Sequence, residues 1–211
     1  MTAHGYIKDP AAIYAESFAR VRAAAALDGL PPDIASVAMR LVHACGMPDL
    51  LDDFDYSTGA AISASAALAA GRPIFCDCEM VRSGITRRFL SAQNDIIVTL
   101  NDRQTSQLAA THKTTRSAAA VDLWGADVEG AVVAIGNAPT ALFRLLEIIA
   151  EGGPKPAAIL GFPVGFVGAA ESKRALAEND AGLGFMVVHG TRGGSAMAAA
   201  AVNALALASK A

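Results

Sequence analysis

Ala131-Val132-Val133-Ala134-Ile135-Gly136-Asn137-Ala138-Pro139 is the stretch that decides the fold. Its apolar half does not alternate with polar residues, so it reads as a strand covered on both faces. Its second half is a glycine turn leading to a proline suited to the first turn of a helix. The same pattern recurs on both sides. Pro73-Ile74-Phe75-Cys76, Asp95-Ile96-Ile97-Val98-Thr99-Leu100, Ala157-Ala158-Ile159-Leu160 and Phe185-Met186-Val187-Val188 are further apolar or β-branched runs, each ending in turn residues. Helical patterns over 115–126, 139–152, 168–178 and 194–208 lie between or after them. Strand, helix, strand at this spacing predicts an α/β fold: a three-layer α/β/α arrangement around a mostly parallel sheet of about five strands, with right-handed crossovers. No repeat, linker or low-complexity tract divides the chain, and residues 1–211 read as a single domain.

Ahead of the sheet the periodicity is helical. Pro10 opens a helix over 10–28, with Ile13, Tyr14, Phe18, Val21, Ala25 and Leu27 on its apolar side and Tyr14 and Ser17 sharing a face. Ser57–Ala70 is an alanine-rich helix closed by Gly71. Asp49, Asp52 and Asp55 lack the spacing and terminal glutamate of a calcium loop and read as a solvated turn.

Between these lies Met39-Arg40-Leu41-Val42-His43-Ala44-Cys45-Gly46. Pro31-Pro32-Asp33 marks a helix start, and Ile34, Val37, Ala38, Leu41 and Val42 recur at three- and four-residue steps. Gly46 is the natural stop, because glycine takes the left-handed conformation without steric cost. His43 then falls in the last turn, where unpaired carbonyls favour imidazolium. On these residues alone it is either a proton donor or a histidine that caps the helix end. Arg40, one turn earlier, opposes the protonated form if it comes close.

The chain has 211 residues, 53% of them hydrophobic, and a mean hydropathy of +0.38. The excess is largely alanine. The longest apolar candidate, Ser195–Ala208, is interrupted by Asn203 and is too short to span a bilayer. The first residues, Met1 to Tyr6, lack the basic-then-apolar pattern of a secretory signal, so the expected location is the cytoplasm. High apolarity with 18% charged residues points to surface buried between subunits. A net charge of -3 without basic runs gives no footprint for nucleic acid. Three cysteines, Cys45, Cys76 and Cys78, form no disulfide framework, and Cys76-Asp77-Cys78 has no second pair to complete a metal site.

In a parallel sheet the ligand sits beyond the carboxyl ends of the strands, and here those ends carry unusual residues. They are Glu79, Arg82 and Gly84-Ile85-Thr86-Arg87; Gly136-Asn137-Ala138-Pro139-Thr140; the apolar, glycine-rich Gly161–Gly168; and Gly190-Thr191-Arg192-Gly193-Gly194-Ser195, a glycine turn opening a helix. Helix N–H groups at such a turn hold a carboxylate or phosphate. Familiar motifs are missing: Gly161, Gly165 and Gly168 are wrongly spaced for a dinucleotide fingerprint, no phosphate-binding G-x-x-x-x-G-K motif is present, and Ser195 lies outside a G-x-S-x-G elbow. His4, His43, His112 and His189 make no metal-binding helix pair.

Taken together, the segments resemble the precorrin-8X methylmutase family of corrin biosynthesis. The resemblance is carried by Ala12–Phe18, Arg40–Gly46, Cys76–Val81, Gly84-Ile85-Thr86, Thr115–Ala119, Ala134–Leu142, the run from Pro154 to Lys173, and Gly193–Met197. It is weakest at 47–60 and 102–113, which read as variable loops. It implies an isomerase that moves a methyl group from C-11 to C-12 of precorrin-8X by a [1,5]-sigmatropic shift, giving hydrogenobyrinate. It further implies no cofactor, no metal and a homodimer, with handover of substrate and product to neighbouring pathway enzymes. The histidine matching His43 is the expected acid. Arg116 matches a position expected to meet substrate carboxylates, and Ser17, Arg40, Thr86 and Asn137 match positions at or near the pocket. Arg192, Gly194 and Ser195 complete the expected substrate-binding set. Three alternatives remain at this point: a non-catalytic corrinoid carrier, a mutase for the cobalt-containing substrate, and an α/β enzyme for a phosphorylated metabolite using the Gly193-Gly194-Ser195 turn.

Overall fold

Alternate residues along a strand point to opposite sides, and in the central strands both sides are buried, which fixes the layering of the molecule. The computed structural model describes residues 4–209; Met1–Ala3 and the last two residues of the expected 1–211 domain lie outside the described residues. The strands are β1 (Phe54–Tyr56), β2 (Ile74–Cys76), β3 (Ile96–Ile97), β4 (Val132–Ile135), β5 (Ala158–Gly161) and β6 (Phe185–Val188). They form one sheet in the order β1-β6-β5-β4-β2-β3. Every pairing is parallel except β1 against β6, with Ile74 opposite Val132, Val133 opposite Ile159 and Leu160 opposite Met186.

On one face Ile74, Cys76, Val132, Ala134, Leu160 and Met186 pack with α2 (Pro32–Cys45), α3 (Ala60–Ala69) and α9 (Ser195–Ala208). On the other, Phe75, Val133, Ile135, Ile159 and Val187 pack with α6 (Arg116–Val121), α7 (Pro139–Ala150) and α8 (Ala169–Ala177). Fully buried leucines such as Leu41, Leu142 and Leu160 each contribute roughly 1.5–3 kcal/mol of transfer free energy. The remaining helices are α1 (Pro10–Ala24), α4 (Glu79–Gly84) and α5 (Arg103–His112).

The alanine excess has a structural cause in α9, which is buried on most of its surface through Ala198, Ala199, Ala201, Ala204 and Ala206. Small side chains let its backbone approach β4 closely. A Cβ on Gly136 would lie 2.7 Å from Ser195 Cα, and one on Gly84 would lie 2.6 Å from Ala199 Cβ. Both glycines are therefore required, Gly136 where α9 crosses the end of β4 and Gly84 where α4 packs on α9.

Three segments differ from the expectation. The acidic stretch at 49–55 is a 3-10 turn over Pro48–Asp53 followed by the edge strand β1. Phe54 and Tyr56 pack against the core while Asp55, pointing the other way, meets His189 Nε2 at 3.0 Å. The expected strand at 95–100 is cut to two residues, because Thr99 turns its polar groups elsewhere. Its hydroxyl donates to Ala120 O at 2.7 Å, and its carbonyl accepts from Thr105 Oγ1 at 2.6 Å. Residues 103–112, read as a variable loop, form α5, with Asp102 accepting from Gln104 N at its start and Lys113 in a left-handed conformation at its end. No helix among the described residues is long and apolar enough to cross a membrane.

Candidate functional site

The α1–α2 corner is built from residues three apart on each helix. Gly46, at φ 72°, ends α2 and returns its N–H to Val42 O at 2.8 Å. His43 in the last turn does not cap that end. Its Nδ1 meets Ser17 Oγ of α1 at 2.9 Å. The buried Phe18 ring stacks on the imidazole, centroids 4.9 Å apart and planes 23° apart. One turn earlier on both helices, Arg40 Nη2 donates to Tyr14 OH at 2.6 Å. The Arg40 guanidinium lies over the rings of Phe18, Phe89 and Tyr14 at 5.4, 5.7 and 5.9 Å, an attractive cation–π arrangement. Phe18 is the one fully buried side chain of α1, so this helix is held to the body largely through groups that touch Arg40 and His43.

His43 stands between two clefts. One, of about 270 Å³, is lined by Arg40, His43, Ala44, Gly84, Ala196, Ala199, Ala200 and Asn203. The other, of about 280 Å³, runs past Ser17, Val42 and Pro48. Arg40 and His43 both line the first cleft. Asn203 shapes the wall: its Oδ1 accepts from Thr86 N at 2.8 Å and its Nδ2 donates to Gly84 O at 2.9 Å.

The floor is organised by Asp77, at the carboxyl end of β2 and only 3% exposed. Its carboxylate accepts from the backbone N–H groups of Gly136, Asn137 and Ala138 at 3.0, 2.9 and 2.8 Å. It thereby ties the turn after β4 to the end of β2. Burial pushes the Asp77 carboxyl above its ordinary value, and the three N–H donors oppose that shift without cancelling it. Burial, reinforced by the neighbouring Asp77, likewise pushes the Cys76 thiol far up, so this cysteine is an inert packing group. Cys78 Sγ lies 3.4 Å from Ser195 Oγ, at the start of α9.

The fold brings Ser17, Arg40 and His43 together, with Thr86 held at the cleft wall and Gly194 and Ser195 at the first turn of α9. Asn137 is placed through its backbone, and its side chain is exposed. Arg116 is separate, beyond β3, where its Nη2 donates to Leu100 O and Asn101 Oδ1 at 2.8 and 3.0 Å. Beside it, Thr115 and Thr140 join α6 to the start of α7 through hydroxyls 2.8 Å apart. Arg192 turns toward β1. Its Nη1 meets Asp49 Oδ2 at 2.7 Å and its Nη2 meets Asp53 Oδ2 at 2.5 Å; these bonds hold the guanidinium strongly protonated. Beneath it, fully buried Lys173 donates to Arg192 O at 2.6 Å, and burial lowers its ammonium to about 8. Asp77 and Asn203 are the residues that the sequence reading missed. The signal for Asp77 was present, an acid directly after an apolar strand, but it stands between two cysteines that read first as a possible metal pair. Among the described residues no group of three or more His, Cys, Asp and Glu side chains is placed to hold a metal ion.

The precorrin-8X methylmutase family model matches residues 12–208. The chain belongs to the precorrin-8X methylmutase family. It is an isomerase of cobalamin biosynthesis. A precorrin-8X methylmutase from Pseudomonas aeruginosa is 57% identical over 201 residues, covering 95% of this chain and 97% of that relative. One from a Sinorhizobium species is 56% identical over 206 residues, covering 98% of each. A cobalt-precorrin-8 methylmutase from Methanothermobacter thermautotrophicus is 34% identical, covering 87% of this chain and 85% of that one. The solved precorrin-8x methyl mutase of Thermus thermophilus superposes with a TM-score of 0.86 at 35% identity, covering 95% of this chain and 97% of that one. The methylmutase fold thus extends over both the α1–α2 corner and the sheet that carries the floor.

Proposed function

We propose that this chain converts precorrin-8X to hydrogenobyrinate by a [1,5]-sigmatropic shift of a methyl group from C-11 to C-12, with His43 as the proton donor. The observation that carries the reading is the position of His43. It is an exposed imidazole between two clefts, with Nδ1 occupied by Ser17, one face covered by Phe18 and no protein partner for Nε2 among the described residues. His43 Nε2 gives a proton to the ring, the methyl group migrates within the ring, and the proton returns. The reaction is an isomerisation, so atoms and electrons balance without a cofactor or metal. General acid assistance contributes roughly 10²–10⁴ in rate, and holding the ring in a reactive shape adds to it. Arg116, Arg40, Thr86 and Asn137 are the substrate contacts in this reading, together with the first turn of α9 at Gly194 and Ser195. Metal-free precorrin-8X is favoured over its cobalt counterpart because the two relatives above 55% identity carry the metal-free name, whereas the cobalt-named relative stands at 34%.

The protein acts in this proposal as a cytoplasmic homodimer that exchanges substrate and product with neighbouring pathway enzymes. The clefts beside His43 are small for a tetrapyrrole, and the large apolar side chains of Phe166 and Val167 stand 93% and 89% exposed, as a subunit contact requires. The test is to mix enzyme with a hundredfold excess of metal-free precorrin-8X and follow the visible spectrum. Complete conversion supports the mutase. A change that stops at one equivalent supports a carrier, and conversion of the cobalt substrate alone supports the other branch of the family.

Arg192 enters as a strut and not as a substrate contact, because Asp49 and Asp53 already take its donors. Arg192→Met is expected to leave KM for precorrin-8X unchanged while lowering stability by about 1 kcal/mol, the scale of a partly exposed ion pair. Steady-state kinetics and urea unfolding check both halves. A KM raised tenfold or more would return Arg192 to the binding set.

A further inference from the structure

We infer that Ser17 is a positioning residue that holds the Nδ1 edge of His43 in both of its protonation states and so reserves Nε2 for proton transfer to and from the tetrapyrrole. The inference rests on the reading of His43 as the acid and assigns to Ser17 a role other than substrate contact. Three observations meet at this pair. The Oγ–Nδ1 distance of 2.9 Å is a hydrogen bond. Phe18, next to Ser17 in the chain and stacked on the imidazole, fixes the plane of the ring, so the hydroxyl fixes its rotation within that plane. The neighbouring Tyr14–Arg40 bond has the same 26-residue separation and keeps α1 from shifting along α2.

In this role the Ser17 oxygen is an uncharged acceptor for Nδ1–H. In the imidazolium, Nδ1–H donates to Ser17 Oγ and Nε2–H faces the substrate. When the Nε2–H bond breaks and the proton bonds to the ring, the remaining proton stays on Nδ1, still accepted by Oγ. Nε2 is left with a lone pair, ready to recover a proton after the methyl shift. Without the hydroxyl, neutral His43 is free to carry its proton on Nε2, and that nitrogen can no longer retrieve the one it gave. A carboxylate in the same position would hold Nδ1–H more strongly and make His43 a weaker acid; serine orients the ring without that penalty.

The experiment joins side-chain ¹⁵N NMR of His43 in the free enzyme to steady-state kinetics, using Ser17→Ala and Ser17→Thr. Ser17→Ala is expected to shift neutral His43 from the Nδ1–H tautomer toward Nε2–H. It should lower kcat about tenfold, the value of one hydrogen bond expressed as a rate, at unchanged KM and with a thermal midpoint lowered by no more than about 4 °C. Ser17→Thr, which keeps the hydroxyl, restores both the tautomer and kcat. A raised KM with kcat intact would make Ser17 a substrate contact and overturn the inference, as would an identical tautomer in wild type and Ser17→Ala. If instead His43→Ala retains full turnover, the acid reading fails by itself, and the NMR arm still reports whether Ser17 sets the tautomer.

Discussion

His43→Ala is expected to lose turnover by a factor of roughly 10²–10⁴, the usual contribution of a general acid, while remaining folded and able to bind substrate. The structural cost is small. His43 is exposed, so the variant forfeits a single hydrogen bond to Ser17 and the stacking on Phe18, together about 1–2 kcal/mol. α1 keeps Phe18 buried and keeps the Tyr14–Arg40 bond. The informative comparison is between kcat, followed by the appearance of hydrogenobyrinate, and the affinity for hydrogenobyrinate measured by titration. Lost turnover with retained affinity assigns proton transfer to His43. Turnover within threefold of wild type would remove the histidine from the mechanism. Lost affinity together with lost turnover would make it a binding residue.

Much of the fold was legible in the periodicity of the sequence. The unbroken run at 131–135 and its four counterparts marked strands covered on both faces, and the sheet contains all five because continuous burial leaves a signature that no solvated segment imitates. The β1 edge strand was hidden by the opposite circumstance. Its three residues, Phe54, Asp55 and Tyr56, bury alternate side chains at the margin of the sheet, and the acids around them dominate any reading by composition. The stop of α2 at Gly46 was legible because a positive φ leaves few residues to choose from. The partner of His43 was not legible in the pattern of its own helix. Ser17 lies 26 residues away, and only the packing of α1 on α2 brings the hydroxyl to Nδ1. The resemblance to the methylmutases pointed to Ser17 without saying what it touches. Arg192 shows the same gap: nothing in the glycine turn beside it announces that the carboxylates of Asp49 and Asp53, more than 130 residues away, meet its guanidinium.

Asp77 gives the largest expected effect on the scaffold. In Asp77→Ala the N–H groups of Gly136, Asn137 and Ala138 lose their acceptor at a site closed to solvent. Each buried unpaired donor costs about 1–3 kcal/mol. Relief of the buried charge offsets part of the sum, so a net loss of about 3 kcal/mol is expected, a large share of the 5–15 kcal/mol typical of a folded domain. Asp77→Asn is intermediate, because the amide oxygen serves two of the donors while its NH₂ group opposes the third. Urea unfolding at neutral pH ranks the three proteins, and equal midpoints would refute the assigned role. The pH dependence supplies an independent check. The folded-state value of Asp77 lies above its unfolded one, so the native state binds the proton more tightly, and stability falls as pH rises between those two values. Asp77→Asn cannot titrate there and should lack that portion of the slope. The same variants join scaffold to chemistry, because the turn that Asp77 holds carries Asn137 and leads into α7 beside the first turn of α9. Loosening it should raise KM for precorrin-8X before it alters the proton transfer at His43, and a fall in kcat at constant KM would mean that the floor shapes the reacting ring as well as binding it.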